Sequence, residues 1–435
     1  MSTPDEAVAR ARAAAPDWAA RPLEERVVSI RRFGELVRHD ADALARLLTD
    51  EMGKPITQSR NELAGVLPRV DYFVEQVPQV LRPTTVYDDG EIVEQVSYEP
   101  LGVVANISAW NYPWFVGVNV LLPALLTGNA VLYKPSELVP GTGAAIVELF
   151  HRAGVPEEVL ALVPGGPEGG AALLEQPVDG VFFTGSYTTG RRIAEAVAGR
   201  MVRLQLELGG KDPVYVTDDV DVEQAAASLA DGAFYNNGQS CCSVERIYVH
   251  QVIYERFVDA FVDAVEGFVV GDPHDERTYL GPLARPQQLE VLEAQVADAL
   301  AKGAVLRTGG HRLTDRPGAW FAPTVLADAT NDMTVMREES FGPIVGIGAV
   351  TGDEQAVALM NDTDYGLTAG VYTRDGRRAR QLLAQLDAGS AYWNCCDRVS
   401  PRLPWSGRRH SGVGSTLGTA GILAFVQPKA WHLRG

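Results

Sequence analysis

The chain has 435 residues, 46% of them hydrophobic and 22% charged, a balance that fits a globular protein of about two or three domains. Its 38 basic and 56 acidic residues leave a net charge of −18, which opposes binding to nucleic acid or to an anionic membrane surface. The four cysteines form two adjacent pairs, Cys241-Cys242 and Cys395-Cys396, without the Cys-x-x-Cys spacing of a zinc site, so no metal is expected. Free thiols suit a reducing cytoplasm. The segment Met1 to Ala7 lacks the basic and apolar regions of a signal peptide. No apolar run reaches the ~18 residues of a membrane-spanning helix.

Residues 5 to 81 carry apolar positions at helical spacing, through Val27, Ile30, Phe33, Leu36 and Val37 and again through Leu44, Leu47 and Leu48. Gly53 and Pro55 break this run. Val86, Ile92, Val93 and Val96 flank Asp88-Asp89-Gly90, the signature of a hairpin. From Leu101 strands and helices alternate. Strands are predicted at 103–107, 130–133, 159–163 and 181–183, with helices after Pro113 and Ser136. This pattern predicts a parallel sheet with helices on both faces. A second α/β stretch runs from Pro213 to about Asn394. It includes a strand at 246–250 and a long helix from Tyr254 to about Val270. Asp218, Asp219 and Asp221 are expected to cap a helix and solvate its start. Residues 424–433 read as extended. The glycine pair 209–210 is the expected domain boundary.

Several peptides carry chemistry, each with a plainer reading. Cys241 lies in Gly238-Gln239-Ser240-Cys241-Cys242, and Glu207 in Leu206-Glu207-Leu208-Gly209-Gly210-Lys211. A cysteine thiolate attacks an aldehyde, and a carboxylate can activate the water that later removes the acyl group. Without that chemistry, the first peptide holds core thiols and the second is a strand entering a turn. Phe183-Thr184-Gly185-Ser186 either binds phosphate at a helix N-terminus or is simply capped by Ser186. Gly141-Thr142-Gly143 lacks a third glycine and reads as a helix start. Lys134 and Glu137 can reach ribose hydroxyls or form an exposed ion pair. Asn111 can donate to an oxyanion or sit in a turn before a proline. Glu339 and Phe341 can hold a ribose and flank a nicotinamide, or belong to an acidic loop.

Together these peptides resemble the aldehyde dehydrogenase superfamily, from Met52-Gly53-Lys54-Pro55 to Ser411-Gly412-Val413-Gly414 and in the same order. The resemblance implies an α/β fold: a Rossmann-type dinucleotide-binding domain, an α/β catalytic domain and a small oligomerisation β-sheet. These fall at 1–83, 100–209 and 411–425, at 210–410, and at 84–99 and 426–435 respectively. It implies Cys241 as nucleophile, Glu207 as general base, and the Asn111 amide with the Cys241 backbone N–H as oxyanion hole. NAD would lie against Ile107, Trp110, Lys134, Glu137, Gly185, Ser186, Leu208, Glu339 and Phe341. Glu137 would favour NAD over NADP by repelling a 2′-phosphate. The substrate tunnel would be lined by Tyr112, Phe115, Val116, Asn119, Tyr235, Ser240, Cys242, Val399 and Trp405. The small sheet would pair across subunits, giving a homodimer or homotetramer.

The chain departs from the family pattern at several positions. The segment before Met52 is short, Ala109 stands where proline is usual, and Ser406 replaces a glycine. Val120 replaces a lysine and Gln427 a glutamate that relatives use in a proton relay. The expected reaction is NAD-dependent oxidation of an aldehyde to a carboxylate, with an apolar or aromatic substrate. A betaine or amino aldehyde, or succinic semialdehyde bound by Arg398 and Arg402, is the alternative. An acylating coenzyme A-dependent enzyme is a rival that needs no base. A catalytically silent binding or structural protein of the same fold is the rival from another class.

Overall fold

The structure is a computed structural model and describes residues 4–435. The helical N-terminal region forms three helices, Pro4–Ala20, Leu23–Met52 and Ile56–Val80. Gly53 ends the second with φ of 75°, its N–H returning to the Thr49 carbonyl. A left-handed turn of this kind favours glycine. The predicted hairpin joins Thr84–Asp88 to Ile92–Pro100, and Val426–Arg434 adds a third antiparallel strand.

The first α/β stretch builds a six-stranded sheet. Its order is Gly412–Val413, Arg203–Glu207, Gly180–Thr184, Val103–Ile107, Ala130–Lys134, Leu160–Leu162. All pairs are parallel except the short Gly412–Val413 strand, which returns antiparallel to Leu206 and Glu207. The chain moves outward from Val103–Ile107 in one direction, then crosses back to Gly180–Thr184. The crevice at that reversal is where α/β sheets bind ligands. The helix Pro113–Leu126 leaves the central strand and is buried on most sides, with Trp114, Val118, Leu121, Leu122 and Leu125 closed off from solvent.

The second stretch builds a seven-stranded sheet from residues 212 to 393. Its strands are parallel except Val305–Thr308 at one edge, which is antiparallel to Thr324–Ala327. Three details differ from the sequence reading. The helix from Tyr254 stops at Glu266, because Gly267 closes it and Val270 then bridges to Leu280. The helix after Ser136 starts only at Pro140, which suits a first helical position. Asp221 does cap Val222–Phe234 by accepting from Gln224 N–H, but Asp218 and Asp219 are used elsewhere. Asp218 pairs with Arg378, and Asp219 accepts from Thr217, Thr373 and the Arg374 N–H. They staple the segment around residues 373–378 to the sheet end.

Candidate active site

Parallel pairing sets the carboxyl ends of four strands side by side. Ile107 lies opposite both Lys134 and Phe183, and Thr184 lies opposite Glu207. Trp110 and Asn111 follow Ile107 in the next loop. Gly185 follows Thr184, and its N–H donates to the Glu207 carbonyl at 3.0 Å. Ser186 caps the helix Tyr187–Val197, so that helix end meets the same edge. Gly190 lets the helix press against Leu208, where a Cβ would collide.

Cys241 is carried by a tight turn. Asn236, Asn237 and Gly238 all have left-handed φ, at 55°, 58° and 67°. Two non-glycine residues in this region are strained, and asparagine tolerates it best. Hydrogen bonds hold the turn in place. Asn236 N–H donates to Gln58 Oε1 at 2.9 Å, and Asn237 Nδ2 donates to the Gly281 carbonyl at 2.7 Å. Asn236 Nδ2 donates to the Asn111 carbonyl at 3.2 Å. In return, Asn111 Nδ2 donates to the Gln239 carbonyl at 3.1 Å. The structure thus brings Asn111 to the cysteine turn, although they are far apart in sequence.

Asn111 is also held from below. Lys54 Nζ donates to the Asn111 carbonyl at 2.7 Å and forms an ion pair with Glu62. Both side chains are fully buried. Burial lowers the Lys54 pKa and raises that of Glu62. Glu62 Oε1 further accepts the Trp114 N–H at 2.9 Å, at the start of the buried helix. The sequence reading missed this clamp. Its one signal was the Met52-Gly53-Lys54-Pro55 peptide, which served there only as a family marker.

The two adjacent cysteines have different surroundings. Cys241 is half-buried, whereas Cys242 is buried. The Cys242 thiol donates to Asp397 Oδ1 at 3.0 Å. Its hydrogen bond with Cys241, together with burial, raises its pKa well above the usual thiol value. Asp397, at φ 48°, is itself pushed up to about 6 by burial.

Glu207 is a buried carboxylate at its strand's end. Burial raises its pKa to about 7. Hydrogen bonds oppose the rise: Thr416 Oγ1 donates to Oε1, and Thr184 Oγ1 approaches Oε2 at 3.5 Å. Thr416 is paired through its backbone with Trp405, linking that candidate tunnel residue to Glu207. The relay positions supply nothing ionisable: Val120 is buried, and Gln427 is exposed opposite Glu99 in the small sheet.

At the cofactor edge, Lys134 Nζ donates to the Pro135 carbonyl at 3.1 Å and lies 3.5 Å from the exposed Glu137 carboxylate. Glu339 is half-buried, and one carboxylate oxygen accepts the Gly210 N–H at 3.2 Å. Burial pushes its pKa up to about 8. A Cβ on Gly209 would overlap that carboxylate. Phe341, at φ 47°, meets Trp110 edge-on with centroids 5.6 Å apart. Behind it, Glu245 pairs with Lys211 at 2.6 Å and accepts the N–H groups of Ser340 and Phe341.

On the opposite side lie the tunnel candidates. Tyr112 and Phe115 stack at 5.9 Å, with Lys54 Nζ 3.8 Å from the Tyr112 ring. Arg69 lies 3.8 Å from the Phe115 ring and donates through Nε to Asn119 Oδ1 at 2.9 Å. Val399 and Trp405 pack into the same apolar core as Cys241 and Cys242. Ser240 Oγ lies 3.5 Å from Cys242 Sγ, Val116 is half-buried, and the Tyr235 hydroxyl accepts from Asn61. Arg398 and Arg402 are exposed.

The profile of the aldehyde dehydrogenase family matches residues 2–431. A succinate-semialdehyde dehydrogenase [NADP(+)] of Deinococcus radiodurans is 38% identical over 426 residues, covering 97% of this chain and 88% of that protein. The structure of an NAD-dependent aldehyde dehydrogenase from Sinorhizobium meliloti superposes with a TM-score of 0.96 at 34% identity, covering 100% of this chain and 88% of the other. A betaine aldehyde dehydrogenase from Staphylococcus aureus, solved with NAD+, gives 0.94 at 30% identity, covering 98% and 87%. The chain belongs to the aldehyde dehydrogenase family, whose enzymes are NAD(P)-dependent oxidoreductases acting on aldehydes.

Proposed function

We propose that this chain oxidises an aldehyde to a carboxylate through a covalent intermediate on Cys241, with NAD as electron acceptor and water as the final nucleophile. The observation that carries the reading is the Asn111 amide bonded to the turn that bears Cys241, on the same sheet edge as a buried carboxylate poised near neutrality. The Cys241 thiolate adds to the carbonyl carbon. Asn111 Nδ2 and the Cys241 N–H stabilise the oxygen as it gains charge. A nicotinamide held at this edge by Glu339, Phe341 and Trp110 would supply the hydride acceptor that turns the adduct into a thioester. Glu207 then takes a proton from water, which displaces Cys241 from the thioester. With Val120 and Gln427 at the relay positions, Glu207 returns its proton to solvent without a lysine–glutamate chain.

The residues at the cofactor edge fit a dinucleotide. Lys134 and Glu137 suit the adenosine ribose, and Gly185 and Ser186 the pyrophosphate at a helix N-terminus. Glu339, with one oxygen accepting the Gly210 N–H, suits the second ribose, flanked by Phe341, Trp110, Ile107 and Leu208. The exposed carboxylate of Glu137 favours NAD over NADP, whereas the Deinococcus relative is named for NADP. Comparing kcat/KM with the two cofactors tests this.

For the substrate, the aromatic and apolar lining rewards burial of a hydrocarbon body at ~25 cal/mol per Å². The name of the Deinococcus relative supports a second reading, a short semialdehyde bearing a carboxylate. NADH formation with hexanal, benzaldehyde, betaine aldehyde and succinic semialdehyde ranks these. No NADH with any aldehyde would refute the catalytic reading, and a strict need for coenzyme A would replace hydrolysis by acyl transfer. The open edges of the three-stranded sheet support self-association as a dimer or tetramer.

A further inference from the structure

Arg69 is a buried cation. Among the described residues it forms no ion pair. Its Nε donates to Asn119 Oδ1 at 2.9 Å and its Nη1 to the Gly65 carbonyl at 2.7 Å, both neutral acceptors. Nη2 has no protein partner among the described residues. The carboxylates whose fields it feels, Glu62 and Glu207, are engaged elsewhere. Glu62 is bound by Lys54 and the Trp114 N–H, and Glu207 by Thr416 and Thr184. A guanidinium buried without a direct ion-pair partner is costly, and burial lowers its pKa to about 10.

The placement gives that charge a direction. Asn111 stands just before the helix Pro113–Leu126; Phe115 and Asn119 lie on it four residues apart and therefore share a face. Arg69 spans Phe115 and Asn119, with the guanidinium over the aromatic ring. One end of this wall thus carries the amide offered to a carbonyl oxygen, and the other a fixed planar cation with N–H groups to spare. Asp397, the group that would attract a cationic substrate, already accepts from the Cys242 thiol and lies in the fields of Arg398 and Lys54. The unmet charge in this wall is positive.

We infer that Arg69 is a specificity-determining residue that binds a carboxylate at the far end of the aldehyde, so that the substrate is a short semialdehyde acid. This rests on the proposed aldehyde oxidation and chooses between its two substrate readings. Guanidinium groups are strong donors to carboxylates, and an Arg anchored by Nε and Nη1 keeps its Nη2 N–H groups available to one.

The test compares kcat/KM for succinic semialdehyde, its methyl ester and butanal in the wild type, Arg69→Gln and Arg69→Lys. The acid should lead in the wild type. In Arg69→Gln it should fall roughly 10- to 100-fold, mainly through KM, while ester and butanal stay within about threefold. Arg69→Lys should recover part of the loss. Succinate, the product, should raise the Tm of the wild type but not that of Arg69→Gln. That readout needs no turnover. Equal or better use of butanal or ester by the wild type would overturn the inference. So would an equal fall for all three aldehydes, or no Tm shift with succinate. If Arg69→Gln does not fold, Arg69→Lys must still narrow the acid-to-ester ratio, and an unchanged ratio overturns the proposal. Absence of NADH with every aldehyde would instead strike the underlying catalytic reading.

Discussion

Thr416→Val should move the pH dependence of turnover. The substitution keeps the side-chain shape and removes the hydroxyl that donates to Glu207 Oε1. A hydrogen bond to a charged group contributes about 1.5–3 kcal/mol, and one pKa unit corresponds to about 1.4 kcal/mol. Glu207 is placed at about 7, and the Thr416 bond is the largest influence holding it down. Its loss should raise the pKa by about one to two units. The base acts only when ionised, so hydrolysis of the thioester rises with pH through this value. At pH 7 the ionised fraction should drop about 5- to 50-fold, and the rate should recover above pH 9. The assay is kcat against pH, with a stopped-flow record of NADH to confirm that the first turnover remains fast. A loss of rate that is the same at every pH would refute the reasoning. So would a limb that stays near 7.

Four further outcomes follow from the geometry. Glu207→Gln should leave a burst of NADH and a stalled acyl-enzyme, visible as added mass on Cys241. It should also raise Tm at pH 8 but not at pH 4. The folded pKa of Glu207 is raised from 4.5 to about 7, so the carboxylate's neutral-form advantage is complete below 4.5 and lost as pH climbs through 7. Limiting iodoacetamide should modify Cys241 before Cys242, because Cys242 is buried and bonded to Asp397; peptide mass spectrometry reads this. Lys54→Met should cost about 3–5 kcal/mol in urea unfolding by stranding Glu62, and Lys54→Met with Glu62→Leu should recover much of it. Gly209→Ala should push Glu339 aside and weaken cofactor binding by calorimetry while leaving the Cys241 thiol reactive.

The sheets and the peptides around the site were legible because their signals are local. Val103–Ile107, Ala130–Lys134 and Gly180–Thr184 are short apolar runs closed by turn residues, and parallel pairing alone then aligns their ends. The supporting contacts were not legible, because each joins distant parts of the chain. Arg69 meets Asn119 across 50 residues, Lys54 meets Asn111 across 57, and Cys242 meets Asp397 across 155. Nothing in the pattern around Arg69 separates it from Arg60, the other arginine of its helix; only burial does. Asp218 and Asp219 show the reverse error. Their proximity to a helix start suggested capping, but the basic and hydroxyl groups of a distant segment compete better for them.

The return of Gly412–Val413 to the edge of the six-stranded sheet has a consequence for how this protein is made. Thr416, which sets the basicity of Glu207, is supplied from 209 residues further along the chain. Synthesis proceeds from the N-terminus, and domains fold as they emerge. Asn111, Glu207 and Cys241 are therefore all synthesised before the Thr416 hydroxyl that completes the surroundings of Glu207. A chain halted before residue 412 would lack that hydroxyl together with Leu417, Ile422 and Phe425, which are buried in the same core. The last portion translated thus completes both the packing of the first sheet and the surroundings of its buried carboxylate.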